Sequence, residues 1–503
     1  MRKLWLLLVL ASLTLMAACG GGGSGSSTIT SVTVTCSPST ILYGQTSQCS
    51  ATVTGTGSFS SGVTWTASAG TISSSGLFAA PSGGATSLQV TITATSMQDT
   101  SKSGMTTVTV NPAQPLSNVQ PIVVDSGPAP QSFLTVNEAF TTVTVCLPTT
   151  STCQTIDHVL VDTGSSGLRL LSSAGGGELS LALPQANDSS GNPLYECLAF
   201  LDGYIWGSVA TADITVAGEK ASSAPVHVVI PASASPAPPQ SCVSQNPPGG
   251  IGNEGNSLTA LGANGILGVG LFQQDCGLDC TTANSTIPPV YYDCPSSGCN
   301  PTYVTLAQQV PNPVTMFATD NNGVLIQLPA VPNGGSASVS GSLIFGIGTQ
   351  SNNGLGSATV YVVPDSGTNA GDVITTFNGT KYPNSFLDAG SNGIFFLDTA
   401  TTGIAMCSVQ TSWYCPATSP DNLSATNQGQ DVNGNPVGTP GTVNFTIENA
   451  DTLFATNNTA FSTAGASNPG SFDWGLGFFF GRNVFTAIEN LSTPGGAGPY
   501  FAY

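Results

Sequence analysis

The chain has 503 residues, more than one ordinary domain needs, and 26 acidic against 7 basic side chains give it a net charge of −19. A surface with this charge repels nucleic acid and anionic lipid headgroups, so neither is expected as a partner. Turn signals at intervals of about eight to twelve residues predict all-β architecture with few helices.

Residues 1–19 have the order of a cleavable export signal, with a basic pair, an apolar run from Leu4 to Met16 and small residues before Cys19. This order resembles the bacterial lipobox, which implies that Cys19 carries a diacylglycerol. Residues 20–29, rich in Gly and Ser, are predicted to be a flexible tether. An uncleaved anchor is the alternative, although the run is shorter than the ~20 residues of a spanning helix. We therefore expect a lipid-anchored protein of the cell envelope, periplasmic or on the outer-membrane surface.

The thirteen cysteines leave an even number once Cys19 is set aside, and an oxidising compartment makes disulfides the default. Three pairs lie at hairpin spacing: Cys36 with Cys49, Cys146 with Cys153, and Cys407 with Cys415. A denser cluster predicts two further disulfides, with a zinc site as the alternative: Cys276, Cys280, Cys294 and Cys299. Cys197 and Cys242 then remain as a pair by elimination.

Residues 30–112 contain alternating segments such as LQVTITATS and MTTVTV between Gly, Ser and Pro turns, which predicts a small β-sandwich. The order of YGQTSQCSATV, VTWTASAGTISSSGLFAAP and a closing VTVNP resembles the bacterial immunoglobulin-like domain. The resemblance implies a spacer or an adhesive module with Trp65 in its core. Residues 113–130 are Pro-rich and are predicted to be a linker.

Two similar segments lie in the rest of the chain, VLVDTGSSGLRLL around Asp162 and SFLDAGSNGIFFL around Asp388. In each, apolar residues predict buried strands, and the glycine after the aspartate allows a tight turn that places the carboxyl at the strand end. Two such loops that meet would bring their carboxyls face to face. Carboxyls that close cannot both ionise, so they share one proton.

These segments resemble the pepsin-like aspartic peptidases, and the resemblance extends over residues 118–503. AFTTVTVCLPTTSTC precedes the first aspartate as the family's opening hairpin does, and ANGILGVGL and WGLGFFFGRNVF resemble the elements that thread behind each aspartate. The sequence also resembles a bacterial lipoprotein family of unassigned function that bears the VDTGSSGLRL motif. The implied fold is an immunoglobulin-like sandwich followed by a bilobal pepsin-like double-ψ β-barrel, 131–503, with lobes of about 131–348 and 349–503.

The resemblance implies catalytic roles for Asp162 and Asp388, and it implies supporting roles for the residues that follow them: Thr163, Gly164, Ser165, Gly390 and Ser391. Ala389 departs from the family, because a Thr or Ser hydroxyl at this position helps to lock the two loops together. An Asp-Ser-Gly triplet also occurs at Asp125 and Asp365, but Pro or polar residues follow, so both are interpreted as turns. Asp365 stays as the alternative second aspartate.

Two further features bear on a substrate. The stretch CLAFLDGYIWGSVATADITVAGE resembles the family's flap hairpin, which implies that Tyr204 or Trp206 covers the substrate. Arg169 is unusual in a chain with so few cations, and we expect it to pair with a neighbouring acid or, alternatively, to bind a substrate carboxylate. Neither of the two histidines, His158 and His227, lies in a serine- or cysteine-hydrolase motif.

Two functions are compatible with these observations. The first is an aspartic endopeptidase that acts on a peptide or protein in the interlobe cleft and needs no metal or organic cofactor. The second is a surface lipoprotein that keeps the cleft for binding or adhesion but has lost turnover. The paired aspartate segments favour the first, and Ala389 and the unusual flap favour the second.

Overall fold

The structure, a computed structural model, describes residues 26–82, 86–111, 118–129, 135–200, 203–243, 253–282 and 288–503. The predicted signal peptide, Cys19 and most of the predicted tether lie outside these residues. The chain consists of two compact units, Met1–Pro115 and Leu116–Tyr503.

The first unit is a β-sandwich. Its strands are β1 (Thr28–Ser37), β2 (Thr40–Leu42), β3 (Thr46–Thr56), β4 (Val63–Ala67), β5 (Thr71–Ile72), β6 (Leu77–Ala79), β7 (Leu88–Ser96) and β8 (Ser103–Asn111). They form two sheets, with the orders β1-β3-β6-β5 and β2-β8-β7-β4. Successive side chains of β7 point to opposite faces, and Val90 and Ile92 on the inner face are fully buried. Trp65 packs against this core from its margin.

The second unit begins with the strands β9 (Val119–Val124), β10 (Ala139–Cys146), β11 (Cys153–Asp162), β12 (Ser166–Leu171), β13 (Leu194–Ala199), β14 (Gly203–Val216), β15 (Glu219–Val229), β16 (Asn253–Glu254), β17 (Gly265–Val269), β18 (Tyr291–Asp293), β19 (Asn300–Thr302), β20 (Gly323–Gln327) and β21 (Val339–Phe345). It continues with β22 (Val360–Val362), β23 (Val373–Phe377), β24 (Thr380–Leu387), β25 (Ile394–Leu397), β26 (Asp421–Gln430), β27 (Pro436–Ile447), β28 (Gly465–Ala466), β29 (Asn468–Trp474), β30 (Asn483–Ala487), β31 (Ser492–Thr493), β32 (Gly496–Ala497) and β33 (Tyr500–Ala502).

The described helices are single turns: α1 (Gln240–Val243), α2 (Leu258–Leu261), α3 (Thr399–Thr402), α4 (Ala450–Leu453) and α5 (Leu476–Phe479). Short 3-10 segments span Ser173–Gly175, Gly277–Cys280, Leu306–Gln308 and Pro313–Met316. Among the described residues, no helix has the length and apolar character that a membrane span requires.

Two large sheets build the second unit. One has the order β19-β18-β13-β14-β15-β12-β17-β11-β10-β9-β21-β20-β30-β33-β22, and the other has the order β27-β26-β23-β24-β29-β25-β28. The first sheet connects the lobes, because β22, β30 and β33 come from the second lobe, 349–503. The prediction of a linker over residues 113–130 is wrong for Val119–Val124. These residues form β9, which pairs with β10 and β21.

Both aspartate segments have the same ψ-shaped topology. In the first half, β17 lies between β11, to which it is parallel, and β12, to which it is antiparallel. In the second half, β29 lies in the same way between β24 and β25. A strand thus threads between the strands that enter and leave each loop. This repeat confirms the all-β class and the bilobal pepsin-like fold, and the immunoglobulin-like resemblance of the sandwich stays a prediction.

Six disulfides form, and each joins cysteines close in sequence or paired by elimination: Cys36–Cys49, Cys146–Cys153, Cys197–Cys242, Cys276–Cys280, Cys294–Cys299 and Cys407–Cys415. The expected disulfides are confirmed. The zinc alternative fails because all four cysteines of the dense cluster are oxidised and offer no thiolate.

Candidate active site

The two loops bring Asp162 and Asp388 together. Asp162 ends β11 after the buried Val161, and Asp388 follows β24 after the buried Leu387, so each apolar strand fixes the start of its loop. A Cβ atom on Gly164 would lie 2.7 Å from Cγ of Asp388. A Cβ atom on Gly390 would lie 2.7 Å from Oδ1 of Asp162. Each loop therefore uses its glycine to admit the carboxyl of the other.

The same hydrogen bonds hold both carboxyls. The Gly164 N–H donates to Oδ1 of Asp162 at 2.7 Å, and the Ser165 hydroxyl donates to Oδ2 at 2.5 Å. In the other loop, the Gly390 N–H donates to Oδ1 of Asp388 at 2.8 Å, and the Ser391 hydroxyl donates to Oδ2 at 2.8 Å. The two aspartates thus occupy equivalent positions, as their sequence segments predict.

The surroundings of the pair disfavour the ionised form of Asp388. Burial raises the pKa of Asp388 well above its usual range, and the negative charges of Asp162 and Asp473 raise it further. A hydrogen bond with Asp162 acts in the same direction, whereas the Ser391 hydroxyl lowers the pKa. Two facing carboxyls with one shared proton can act together as an acid and a base.

A single hydrogen bond between backbone and side chain locks the loops together. The Ala389 N–H donates to Oγ1 of Thr163 at 2.8 Å, and both residues are buried. Ala389 has no hydroxyl with which to return this bond, so the lock is one-sided, as its sequence indicates.

Arg169 binds acids of its own lobe and is fully buried, which excludes contact with a substrate carboxylate. Its Nη2 lies 3.0 Å from Oε1 of Glu196 and 3.3 Å from Oδ2 of Asp275. Its Nη1 donates to the carbonyls of Ser166 at 2.7 Å and Gly167 at 3.3 Å. Arg169 therefore braces the chain directly after the first aspartate loop.

The rest of this buried network was not predicted from the sequence. His227 Nδ1 lies 3.2 Å from Oε2 of Glu196, and the Tyr291 hydroxyl donates to Asp275 at 2.7 Å. Burial raises the pKa of Asp275 well above its usual range and lowers that of His227 to about 4. Burial also disfavours the charge of Glu196, but the charges of Arg169 and His227 keep its pKa below its usual value. Burial thus pushes both Asp275 and His227 towards their neutral forms.

The flap prediction is wrong for Trp206. Its side chain is fully buried, its indole N–H donates to the Pro236 carbonyl at 2.9 Å, and Tyr195 stacks on it. Tyr204 is 5% exposed, and burial followed by the charge of Glu254 raises its pKa. Among the described residues, no hydrogen bond, ion pair or ring contact joins Tyr204 to either aspartate, so its flap role stays a prediction.

Phe200 is the aromatic residue at the turn between β13 and β14, and it packs against the buried cluster of Leu171, Ile205 and Val229. Its N–H donates to the Gly203 carbonyl at 2.8 Å, and its ring is only partly buried. Residues 201 and 202 of this turn lie outside the described part of the chain.

The other candidate aspartates lie away from the pair. Asp365 is exposed and accepts a hydrogen bond from its neighbour Ser366, so it is a turn residue, as expected. Asp125 lies 3.4 Å from Nε2 of His158 and caps the Gly127 N–H. Among the described residues, only Cys407, Cys415 and Asp451 cluster as metal ligands could, and the disulfide removes both thiolates.

Comparison with known proteins gives a family but no activity. The crystal structure of an aspartic proteinase from Irpex lacteus matches with 14% sequence identity and a TM-score of 0.41, over 76% of this chain and 96% of that chain. Curated proteins give no match. Residues 114–503 match the model of a family described as "Protein of unknown function (DUF3443)", and the chain therefore belongs to this family.

Proposed function

We propose that the protein is an exported, lipid-anchored aspartic endopeptidase whose catalytic pair is Asp162 and Asp388. The observation that carries the proposal is the crossed arrangement of the loops, in which Gly164 faces Asp388 and Gly390 faces Asp162. A side chain at either position would collide with the carboxyl of the other loop. Such an arrangement serves a pair of acids that must share a proton.

The proposed reaction uses one ionised and one protonated carboxyl. Asp162 takes a proton from a water whose oxygen attacks the peptide carbonyl carbon, while Asp388 gives its proton to the carbonyl oxygen. The resulting diol then loses its C–N bond. The amine nitrogen takes the proton from Asp162, and a diol hydroxyl returns a proton to Asp388. The high pKa of Asp388 supports its role as the acid.

Cleavage of a peptide library between acid and neutral pH tests this proposal. We expect cleavage by the wild-type protein and its loss in Asp162→Asn and Asp388→Asn, because neither variant can both take and give a proton. Asp365→Asn is the matched control, since Asp365 begins an Asp-Ser-Gly triplet similar to the Asp-Thr-Gly of Asp162 but is exposed. Cleavage that persists in both active-site variants, or no cleavage by the wild type, would contradict the proposal.

The second function, a cleft that binds peptides without cleaving them, is favoured by the one-sided lock at Ala389. The same library separates the two functions. Peptides that are retained intact by the wild-type protein across the whole pH range would indicate a binding module. Peptides released as fragments would indicate a peptidase.

The proposed location rests on the sequence of residues 1–19, with the sandwich as a spacer between lipid and peptidase. We expect the full chain to fractionate with membranes in a bacterial host and to incorporate a radiolabelled fatty acid. Cys19→Ser should abolish the label, because the thiol is the acceptor. Label that persists in Cys19→Ser would disprove lipidation at this residue.

A further inference from the structure

A third carboxyl, that of Asp473, lies next to the pair and has no part in the reaction proposed above. It belongs to β29, the strand that threads between β24 and β25, and it is directly opposite Phe386 and Phe395. Only 2% of its surface is exposed, and its Oδ1 has no hydrogen-bond partner among the described residues. A buried carboxylate is costly unless it is paired or hydrogen-bonded, so this position favours the protonated form.

The pseudo-symmetry of the fold shows that the strand itself does not require an acid here. In the first half, the position that corresponds to Asp473 is Ile266, which is opposite Leu160 and Arg169 in the same register. Ile266 is buried and apolar, as a threading strand favours. The second half therefore departs from the pattern at one residue, and departures of this kind concentrate at functional sites.

The backbone next to Asp473 contacts the second aspartate. The Asp388 N–H donates to the carbonyl of Trp474, the residue after Asp473, at 3.2 Å, and the Ser391 hydroxyl donates to Oδ2 of Asp388 at 2.8 Å. The Ser391 hydroxyl also lowers the pKa of Asp473. Burial outweighs this effect and raises the pKa of Asp473 to about 7, and the charge of Asp162 adds to the rise. In return, the charge of Asp473 raises the pKa of Asp388.

We propose that Asp473 is a positioning residue that sets the protonation of the aspartate pair through the Ser391 hydroxyl. This inference deepens the proposed peptidase function and rests on it for its kinetic consequence. When Asp473 is protonated, its O–H donates to Oγ of Ser391, and the Ser391 proton is directed at Asp388. When Asp473 is ionised, the two carboxylates compete for that single hydroxyl proton, and the added charge holds the shared proton on the pair.

Few other charges act on Asp473. Asp162 and Asp388 are the titratable groups that interact with it among the described residues. On β24, Lys381 and Tyr382 lie at the other end of the strand, and β25 contains no titratable residue. The pH response of Asp473 is therefore tied to the pair.

The first test is the pH profile of peptide cleavage by Asp473→Asn. The amide keeps a donor for Ser391 but removes the negative charge, so the pair should lose its shared proton at lower pH. We expect the alkaline limb of kcat/KM to move down by about one pH unit, with near wild-type activity on the acid side. A uniform loss of activity with an unmoved limb would show a merely structural role and overturn the proposal.

Asp372→Asn is the matched control for this variant. Burial also raises the pKa of Asp372 to about 7, but its hydrogen-bond partner is Asn384, and neither aspartate of the pair contributes to the shift. Removing its charge should leave the pH profile unchanged. An equal movement of the limb in Asp372→Asn would mean that any buried acid of this lobe acts on the pair.

The second test does not need activity. In protein labelled with ¹³C at the aspartate carboxyls, two signals should titrate near pH 7, and Asp372→Asn identifies one of them by its loss. The other signal should titrate at lower pH in Asp162→Asn, because that variant lacks the charge that raises the pKa of Asp473. If cleavage is never observed but this signal moves, the peptidase proposal fails and the coupling stands. If the signal does not move, the coupling fails.

Discussion

Arg169→Met should destabilise the second unit by about 3–5 kcal/mol, because it removes the cation from a buried ion pair and leaves the anion uncompensated. Methionine fills a similar volume, so the loss would come from charge and hydrogen bonding. Glu196 would be left facing Asp275 and a neutral His227, and the carbonyls of Ser166 and Gly167 would lose their donor. The measurement is the free energy of unfolding of the second unit in urea.

Two further variants identify the cause of this loss. In Arg169→Met combined with Glu196→Gln, the anion is also removed, so part of the stability should return. Arg482→Met is the matched control, since Arg482 donates to the carbonyl of Phe478 at 2.6 Å and forms no ion pair among the described residues. We expect it to cost about 1 kcal/mol. A double variant no more stable than Arg169→Met would contradict the account.

The aspartate loops could be predicted because their signal is local. An apolar strand, an aspartate, a glycine and a second apolar strand lie within a few residues of one another, and the repeat at Asp388 shows that the segment is used twice. The disulfides are also local, since most of the pairs close short loops. The sequence could not show why Gly164 and Gly390 must be glycines, because the carboxyl that excludes a side chain at each position belongs to the other loop.

The network around Arg169 and the position of Asp473 depend on which strands are adjacent. Glu196, His227 and Asp275 come from separate segments, and only the order of strands in the sheet brings them to Arg169. An arginine within SGLRLL indicates a buried partner but does not identify it. Asp473 could have been recognised only through the register that places it opposite Phe386 and Phe395.

The linker was mispredicted because proline usually excludes a central strand. Pro121 lies in β9, which pairs with β10 only at Val123 and Val124. At Pro121 the strand has one neighbour, β21, so the missing N–H removes no ladder bond on the other side.

The prediction of Trp206 as a flap residue was wrong because the residues that bury it are not all near it in the sequence. Its position beside a turn resembles a flap, but the packing of Tyr195 and Tyr292 around it depends on a distant strand.

Gly164→Ala and Gly390→Ala should each lower kcat/KM by about 100-fold or more, because displacement of a catalytic group by about 1 Å has an effect of this size. The new Cβ of Gly164→Ala would meet Cγ of Asp388 at 2.7 Å, and that of Gly390→Ala would meet Oδ1 of Asp162 at the same distance. Neither glycine has a positive φ, so alanine is compatible with the backbone. Each variant therefore moves one carboxyl away from the other. The substituted residue keeps its backbone N–H, which still donates to the aspartate of its own loop.

Gly354→Ala is the control, since Gly354 has a negative φ and no atom within 4 Å of an added Cβ. It should keep full activity. Alanine also restricts the unfolded chain, which by itself favours folding, so the two loop variants should lose far more activity than stability. Equal losses of both would mean that the glycines serve the fold, and wild-type activity in both would mean that the carboxyls need no close contact. The loop variants thus measure whether catalysis requires the two carboxyls to touch.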